Sequence, residues 1–442
     1  MRSVQTEPLP DRKTACVLGA YGLIGSACVR ALSEAGFRVI GVGRSEAMAR
    51  RIGPHIDGRI LDLTQASSEE LRATIAGADA VVNAAGALQD GPKDDVAGIH
   101  ELMIERLVLA LKGSQARIIQ ISAAGVSPQA STEFFRSKAK GDAVLMASGL
   151  DWIVLRPTLV LAREAYGGTA LLRASAAFPV IGLLVLPQSP VQTVCIDDVT
   201  AAVVSSARGE IARGTVADLT EPGSHRFEDV VRFVRTWLGL PPWRMSLNVP
   251  NLIVRGSASV ADALGRLGWR SPLRSTAVKV LSEGIHGDPL PWRNAGGVTC
   301  RPLSETLASM PATSQDRWFA RLYLALPVIV GVLALFWLMS GLIGLLRFDD
   351  AVRVLSSRGV GGTAAAIFVA GGALIDLILG LGLLVRKFAP AAAIGMAGVS
   401  LLYLLGGTIL TPDLWGDPLG PLLKVVPALA LALVGAAILD ER

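Results

Sequence analysis

The stretch TACVLGAYGLIG, residues 14–25, decides how the N-terminal half is read. Its first residues, Thr14 to Ala20, are short and apolar, as a buried strand is. Gly19, Gly22 and Gly25 then punctuate a turn, and a helical pattern runs to about Ala35 before stopping at Gly36. A second apolar run, 37–43, completes strand, turn, helix and strand. This is the context a dinucleotide-binding turn requires. Gly19 permits the tight turn, Gly22 lets the backbone approach a pyrophosphate, and Gly25 lets helix pack on strand. The helix start offers free N–H groups to phosphate oxygens. The turn as a whole (Gly19, Tyr21, Gly22, Leu23, Ile24, Gly25) is therefore the expected cofactor contact. A tight turn with no ligand is the alternative, weakened because the pattern repeats downstream.

The residues ending the second strand select the cofactor. An NAD site usually places Asp or Glu there to hold the ribose 2′-hydroxyl. This chain has Gly43-Arg44-Ser45. A guanidinium suits a 2′-phosphate through paired hydrogen bonds. NADP is the expected cofactor, held by Arg44 and Ser45, with NAD the alternative. Arg50 and Arg51 read as solvated.

The alternation continues. Expected strands are 58–63, 80–85 and 117–122, with helices over 68–75 and 96–111 and Ser68 as a cap. Asp62, at the end of the third strand, can reach the adenine edge. Repeated βα units imply a parallel, doubly wound Rossmann-type sheet.

Taken together, GAYGLIG (19–25), Asp62-Leu63, NAAG (83–86), ISAAG (121–125), SKAKGD (137–142), SGLDWIVLRP (148–157) and VQTVCIDDV (191–199) resemble the atypical short-chain dehydrogenase/reductases. The later pieces are most similar to the NmrA-like and complex I accessory-subunit branches. The resemblance covers about 14–310. It implies further cofactor contacts from Asp62, Leu63, Ala84, Ala85, Gly86, Lys138 and Pro157, and a small α/β substrate lobe after the nucleotide domain. It also implies chemistry by a Tyr and a Lys four residues apart on one helix face. The Lys holds the nicotinamide ribose and lowers the Tyr pKa, and the Tyr exchanges a proton with substrate. Here Lys138 fits the Lys position, Phe134 stands in place of the Tyr, and Phe135 is the neighbouring ring. Ser122 can take the family's hydroxyl role or be a satisfied strand-end serine. Tyr166 lies on the substrate side, where a pocket or surface role outweighs proton supply.

The run AFPVIGLLVLP, 177–187, is either core or inter-domain packing, or else a lipophilic substrate pocket or a surface resting on the bilayer, and is too short to span one. Asp197 and Asp198 read as a helix start. His225 and His286 are isolated and imply no metal. Cys16, Cys28, Cys195 and Cys300 show no CxxC spacing and read as buried thiols of a reducing compartment. The net charge of +5 comes without a Lys/Arg run, so nucleic acid is not an expected partner. Met1 to Lys13 is polar, reads as a flexible N-terminus, and has no apolar signal-peptide core.

Past Arg317 the solvent changes. Leu322 to Leu346 carries no charge and is long enough to cross about 30 Å of hydrocarbon. Three more apolar stretches follow, at 360–385, 388–410 and about 419–439. WFARLYLALPVIVGVLALFWLMSGL (318–342) and TPDLWGDPLGPLLKVVP (411–427) resemble the DoxX-like membrane family. Trp318 and Trp415 suit membrane boundaries. Asp376, inside the second span, is a functional candidate or a group paired with Lys424 or another span. Arg317, Arg321, Arg386, Lys387 and Arg442 favour a cytoplasmic nucleotide domain, while Arg347, Arg353 and Arg358 argue the other way.

The expected architecture is thus a Rossmann-type α/β domain (14–206), a small lobe (207–312) and a four-helix transmembrane bundle (318–442). The expected function is a membrane-anchored NAD(P)-binding oxidoreductase of the inner or cytoplasmic membrane, acting on a lipophilic or quinone-like partner. The alternative is a non-catalytic NADP sensor or scaffold within a membrane protein complex. Transport regulated by the nucleotide domain is a third reading, and close helix packing explains its glycines better.

Overall fold

The computed structural model describes residues 12–50, 56–91, 94–269 and 271–439. Most of the N-terminal 13 residues, together with Arg51 and Arg442, lie outside them. The chain divides into two compact units, Met1–Asp262 with Ser271–Ala320, and Ala263–Arg270 with Arg321–Arg442.

The first unit is built on a seven-stranded sheet. Its strands are β1 (Thr14–Leu18), β2 (Arg38–Gly43), β3 (Asp57–Ile60), β4 (Ala80–Asn83), β5 (Arg117–Ile121), β6 (Trp152–Pro157) and β7 (Thr215–Leu219). They are all parallel, in the order β7-β6-β5-β4-β1-β2-β3. Alternation sends Ala15 and Val17 into one core and Cys16 and Leu18 into the other, so both faces are covered. Helix α1 (Leu23–Glu34) lies on the first face with the helix Ile196–Arg208, and the helices Ser68–Ile75 and Met103–Leu111 lie on the second. The order reverses between β1 and β4, where a doubly wound sheet opens its ligand crevice.

Several expected boundaries move. Ser67, not Ser68, caps the third helix, in a capping box with Glu70. The 96–111 pattern is a π turn, Gly98–Leu102, running into Met103–Leu111. β7 lies beyond the expected domain end at 206 and completes the sheet, pairing Asp218 with Arg156. Its TVADL sequence is too short and too weakly apolar to announce a strand.

The run 177–187 contributes the strand Ile181–Leu184, which pairs with Met245–Asn248. Leu184 joins a satellite core with Leu172, Val230, Trp243 and Leu307, whereas Val180 is 77% exposed. Asp197 and Asp198 occupy the first turn of their helix, and Asp198 binds the backbone and side chain of Arg301. Two buried arginines brace this region. Arg173 pairs with Asp316 at 2.8 Å and stacks on Trp237, and Arg235 binds the carbonyls of Ala176, Phe178 and Pro241. All four cysteines are free and buried.

Among the described residues four helices are long and apolar enough to cross a membrane: Ser314–Leu346, Gly362–Leu384, Ala389–Leu410 and Pro421–Leu439, hereafter spans 1 to 4; span 1 from Arg321 onward and the other three belong to the second unit. Residues 263–270, expected in the small lobe, belong here. The Trp269 indole donates to the carbonyl of Leu384, the Arg386 guanidinium lies over its ring, and the Arg386 N–H donates to Leu267. Trp318 and Trp415 are exposed.

Candidate functional site

The glycine turn lies at the end of β1. Gly19 has φ +76°, and a Cβ there would stand 2.7 Å from the backbone of Ala85. A Cβ on Gly25 would meet the Gly19 carbonyl oxygen at 2.1 Å. Both glycines are therefore required by the fold itself. Gly22 is not. Its φ of −77° suits any residue, and its missing Cβ would touch only the Gly19 oxygen, at 3.5 Å. Gly22 is also the N-cap of α1 and offers no side-chain cap. The N–H groups of Leu23, Ile24 and Gly25 consequently have no intrahelical acceptor. A bare helix start beside spare space fits an anionic pyrophosphate.

The other expected cofactor residues lie in the turn itself, at the C-terminal ends of the strands or on the segments that follow them. Tyr21 packs on the end of β2, filling the space a Cβ on Gly43 would take. Arg44 follows β2 and pairs with Asp94 at 2.7 Å. The Asp62 carboxylate accepts from the backbone and hydroxyl of Thr64, fixing the loop after β3, and Leu63 is buried beneath it. The Ala84 N–H donates to Leu18, and that of Ala85 to Asn83, so the β4 end abuts the turn. Ser45 adjoins Arg44, and its carbonyl accepts from the Ala49 N–H. Pro157 ends β6, and its carbonyl accepts from the Ala124 N–H.

The positions expected for the Tyr and Lys lie on helix α2 (Glu133–Met146). Lys138 is buried, and its Nζ donates to the Ile121 carbonyl at 3.1 Å. Burial pulls its pKa from 10.5 to about 8, against the opposing pull of Asp142. A Cβ on Gly86 would lie 3.8 Å from the Lys138 Nζ and 3.1 Å from His100 Nε2, so Lys138 stands at the β4 end of the crevice. Phe134 packs edge-on to His100 at 5.6 Å and against Phe135 at 5.2 Å. The Lys138 Nζ lies 5.7 Å from its ring centroid.

Ser122 sits at the end of β5, as expected, but its hydroxyl is committed. It donates to Asp142 Oδ2 at 2.7 Å, and Arg156 donates to the same oxygen at 3.1 Å. Burial pushes the Asp142 carboxyl above its ordinary range, opposed by Ser122, Lys138 and Arg156. Tyr166 is 58% exposed, a surface position.

His100 was not legible in the sequence. It is buried in the π turn, a feature common at functional sites. Its Nε2 accepts from the Ala87 N–H, which leaves the proton on Nδ1, 2.9 Å from Ser137 Oγ. Burial, then Lys138, drives its pKa down to about 2, so the ring is neutral. Gly141 makes this approach feasible, since a Cβ there would stand 1.9 Å from the His100 carbonyl oxygen.

Comparison with known proteins bears on the fold of both segments. Residues 19–179 match the NAD(P)H-binding family and residues 334–433 the DoxX-like family. A search of curated proteins finds no match. Similar solved structures include the Bordetella bronchiseptica enzyme WbmH in complex with NAD+, at 18% identity and TM-score 0.53, covering 70% of this chain and 99% of that one. Another is dTDP-glucose 4,6-dehydratase of Bacillus anthracis in complex with NAD, at 14% identity and TM-score 0.51, covering 67% and 96%. A third is UDP-glucose 4-epimerase of Thermotoga maritima with UDP-glucose, at 14% identity and TM-score 0.51, covering 71% and 100%. At these identities the likeness establishes the fold. The chain thus joins a segment matching the NAD(P)H-binding family, on a Rossmann-type fold, to a segment matching the DoxX-like family.

Proposed function

We propose that this protein is a membrane-anchored NADP(H)-dependent oxidoreductase that acts on a lipophilic, quinone-like partner. The observation that carries the reading is the contrast between the two sides of the crevice. The nucleotide side has a bare helix start and a glycine whose freedom the fold does not use. The acid side presents a phenyl ring at Phe134. When bound, the nicotinamide supplies or accepts hydride. Lys138 would hold its ribose, and Arg44 would exchange Asp94 for a 2′-phosphate. A quinone-like acceptor that receives the hydride can take its one proton from water and so has no need of a tyrosine. The apolar membrane unit supports a lipid-soluble partner. The cations Arg317, Arg321, Arg386 and Lys387 support a nucleotide domain in the cytoplasm, where NADP is supplied.

The test is NADPH oxidation by the purified full-length protein with lipid-soluble quinones. Turnover above background is expected, and rates at background would sink the oxidoreductase reading. The second reading, a sensor or scaffold that binds NADP without turnover, is favoured by the packing of Phe134 between His100 and Phe135. Phe134→Tyr separates the two. A pocket that lacks only its acid gains carbonyl reductase activity, of the order of the 10²–10⁴-fold a positioned acid supplies. A scaffold pocket gains none.

A further inference from the structure

Asp376 lies past the middle of span 2 and is only 3% exposed. Span 1 supplies Ser340, whose hydroxyl is 2.6 Å from Asp376 Oδ2. Span 3 supplies Tyr403, whose hydroxyl is 3.0 Å from Oδ1. Three helices therefore converge on one carboxyl through neutral hydroxyls, and Lys424, the alternative partner, is not among its hydrogen bonds or ion pairs. The packing is cut to fit. A Cβ on Gly372, one turn before Asp376, would stand 3.0 Å from the Tyr403 hydroxyl, and one on Gly341 would strike the Ala373 carbonyl at 2.6 Å.

Span 1 between Ala325 and Leu346 has no titratable residue, and span 3 has only Tyr403. The short helix Phe348–Ser356, which also packs on span 2, carries Asp349, Asp350 and Arg353. Arg353 and Arg347 pair with Asp350, and Arg358 pairs with Asp413. Among the described residues no cation pairs with Asp376. Two hydroxyl donors do not replace the hydration of an ionised carboxylate at bilayer depth. A carboxyl built in by three helices yet given no counter-charge is matched to a group that can be neutral.

We propose that Asp376, Ser340 and Tyr403 form a proton-binding site within the membrane unit, at which the carboxyl takes up and releases a proton. The unit then handles protons as well as anchoring the chain. The test uses the full-length protein in detergent and dicyclohexylcarbodiimide, an apolar reagent that adds to protonated carboxyls, with the product located by peptide mass. The expected result is an adduct on Asp376 at mildly acidic pH that fades as pH rises and is lost in Asp376→Asn. Tyr403→Phe removes a donor to the ionised form, so its adduct persists to higher pH. Three results would overturn the proposal: no adduct at mildly acidic pH, an adduct indifferent to pH, or protection by sodium at fixed pH, which would make this a metal-cation site instead.

Discussion

Gly22→Val is expected to weaken nucleotide binding by roughly a hundredfold while leaving the protein folded, and Gly25→Ala to do the reverse damage first. The difference lies in what each missing side chain would meet. At Gly22 the backbone is extended and the Cβ has ordinary room, so the fold loses only part of an N-cap preference, about 1 kcal/mol. The added methyls occupy the approach to the helix N–H groups. Losing two hydrogen bonds to a charged phosphate, at about 1.5 kcal/mol or more each, corresponds to that hundredfold. At Gly25 the Cβ would overlap the Gly19 carbonyl oxygen, which is backbone and cannot swing aside. Such overpacking costs about 1–3 kcal/mol or more. Calorimetry with NADPH and a thermal melt on both variants check this. A Gly22→Val protein that binds normally would mean the turn serves the fold alone.

Lys138→Met is expected to stabilise the protein and abolish nucleotide binding. A lysine buried at about 8 instead of 10.5 costs about 3 kcal/mol at neutral pH, at about 1.36 kcal/mol per unit. The opposing pull of Asp142 is already contained in that value, and losing the hydrogen bond to the Ile121 carbonyl takes about 1–2 kcal/mol back, leaving a net gain of about 1–2 kcal/mol. The sign follows from proton counting. Between pH 8 and 10.5 the unfolded chain holds the proton that the native lysine has released. Wild-type stability therefore rises with pH through that window, and the variant's advantage is present in full below it and shrinks across it. Denaturant melts of both proteins across that range measure the effect. A variant less stable than wild type at neutral pH would make Lys138 a structural group. A gain with loss of binding marks a residue kept for function at the expense of stability.

The parts of this protein legible in the sequence are those whose cause is local. The glycine turn, the strands β1 to β5 and the four spans each announce themselves by spacing or apolar length. What was hidden depends on residues far apart in the chain. His100 takes its meaning from Ser137 and Gly141 on another helix, and Ser122 from Asp142. Arg44 reads as a phosphate ligand in the sequence, yet in the structure it holds Asp94. β7 is set by pairing with β6 rather than by its own composition. Trp269 lies in a polar stretch of the lobe sequence, and only its bond to Leu384 assigns it to the membrane unit. Ser67 takes the cap from Ser68 because its hydroxyl is three residues from the Glu70 N–H.

The central claim is that the first unit binds NADP(H) through its glycine turn and Arg44. Calorimetry of the detergent-purified protein with NADPH and with NADH, repeated on Arg44→Ala, tests it most directly. NADPH is expected to bind well above NADH, and to lose that binding in Arg44→Ala. Binding of neither nucleotide would contradict it.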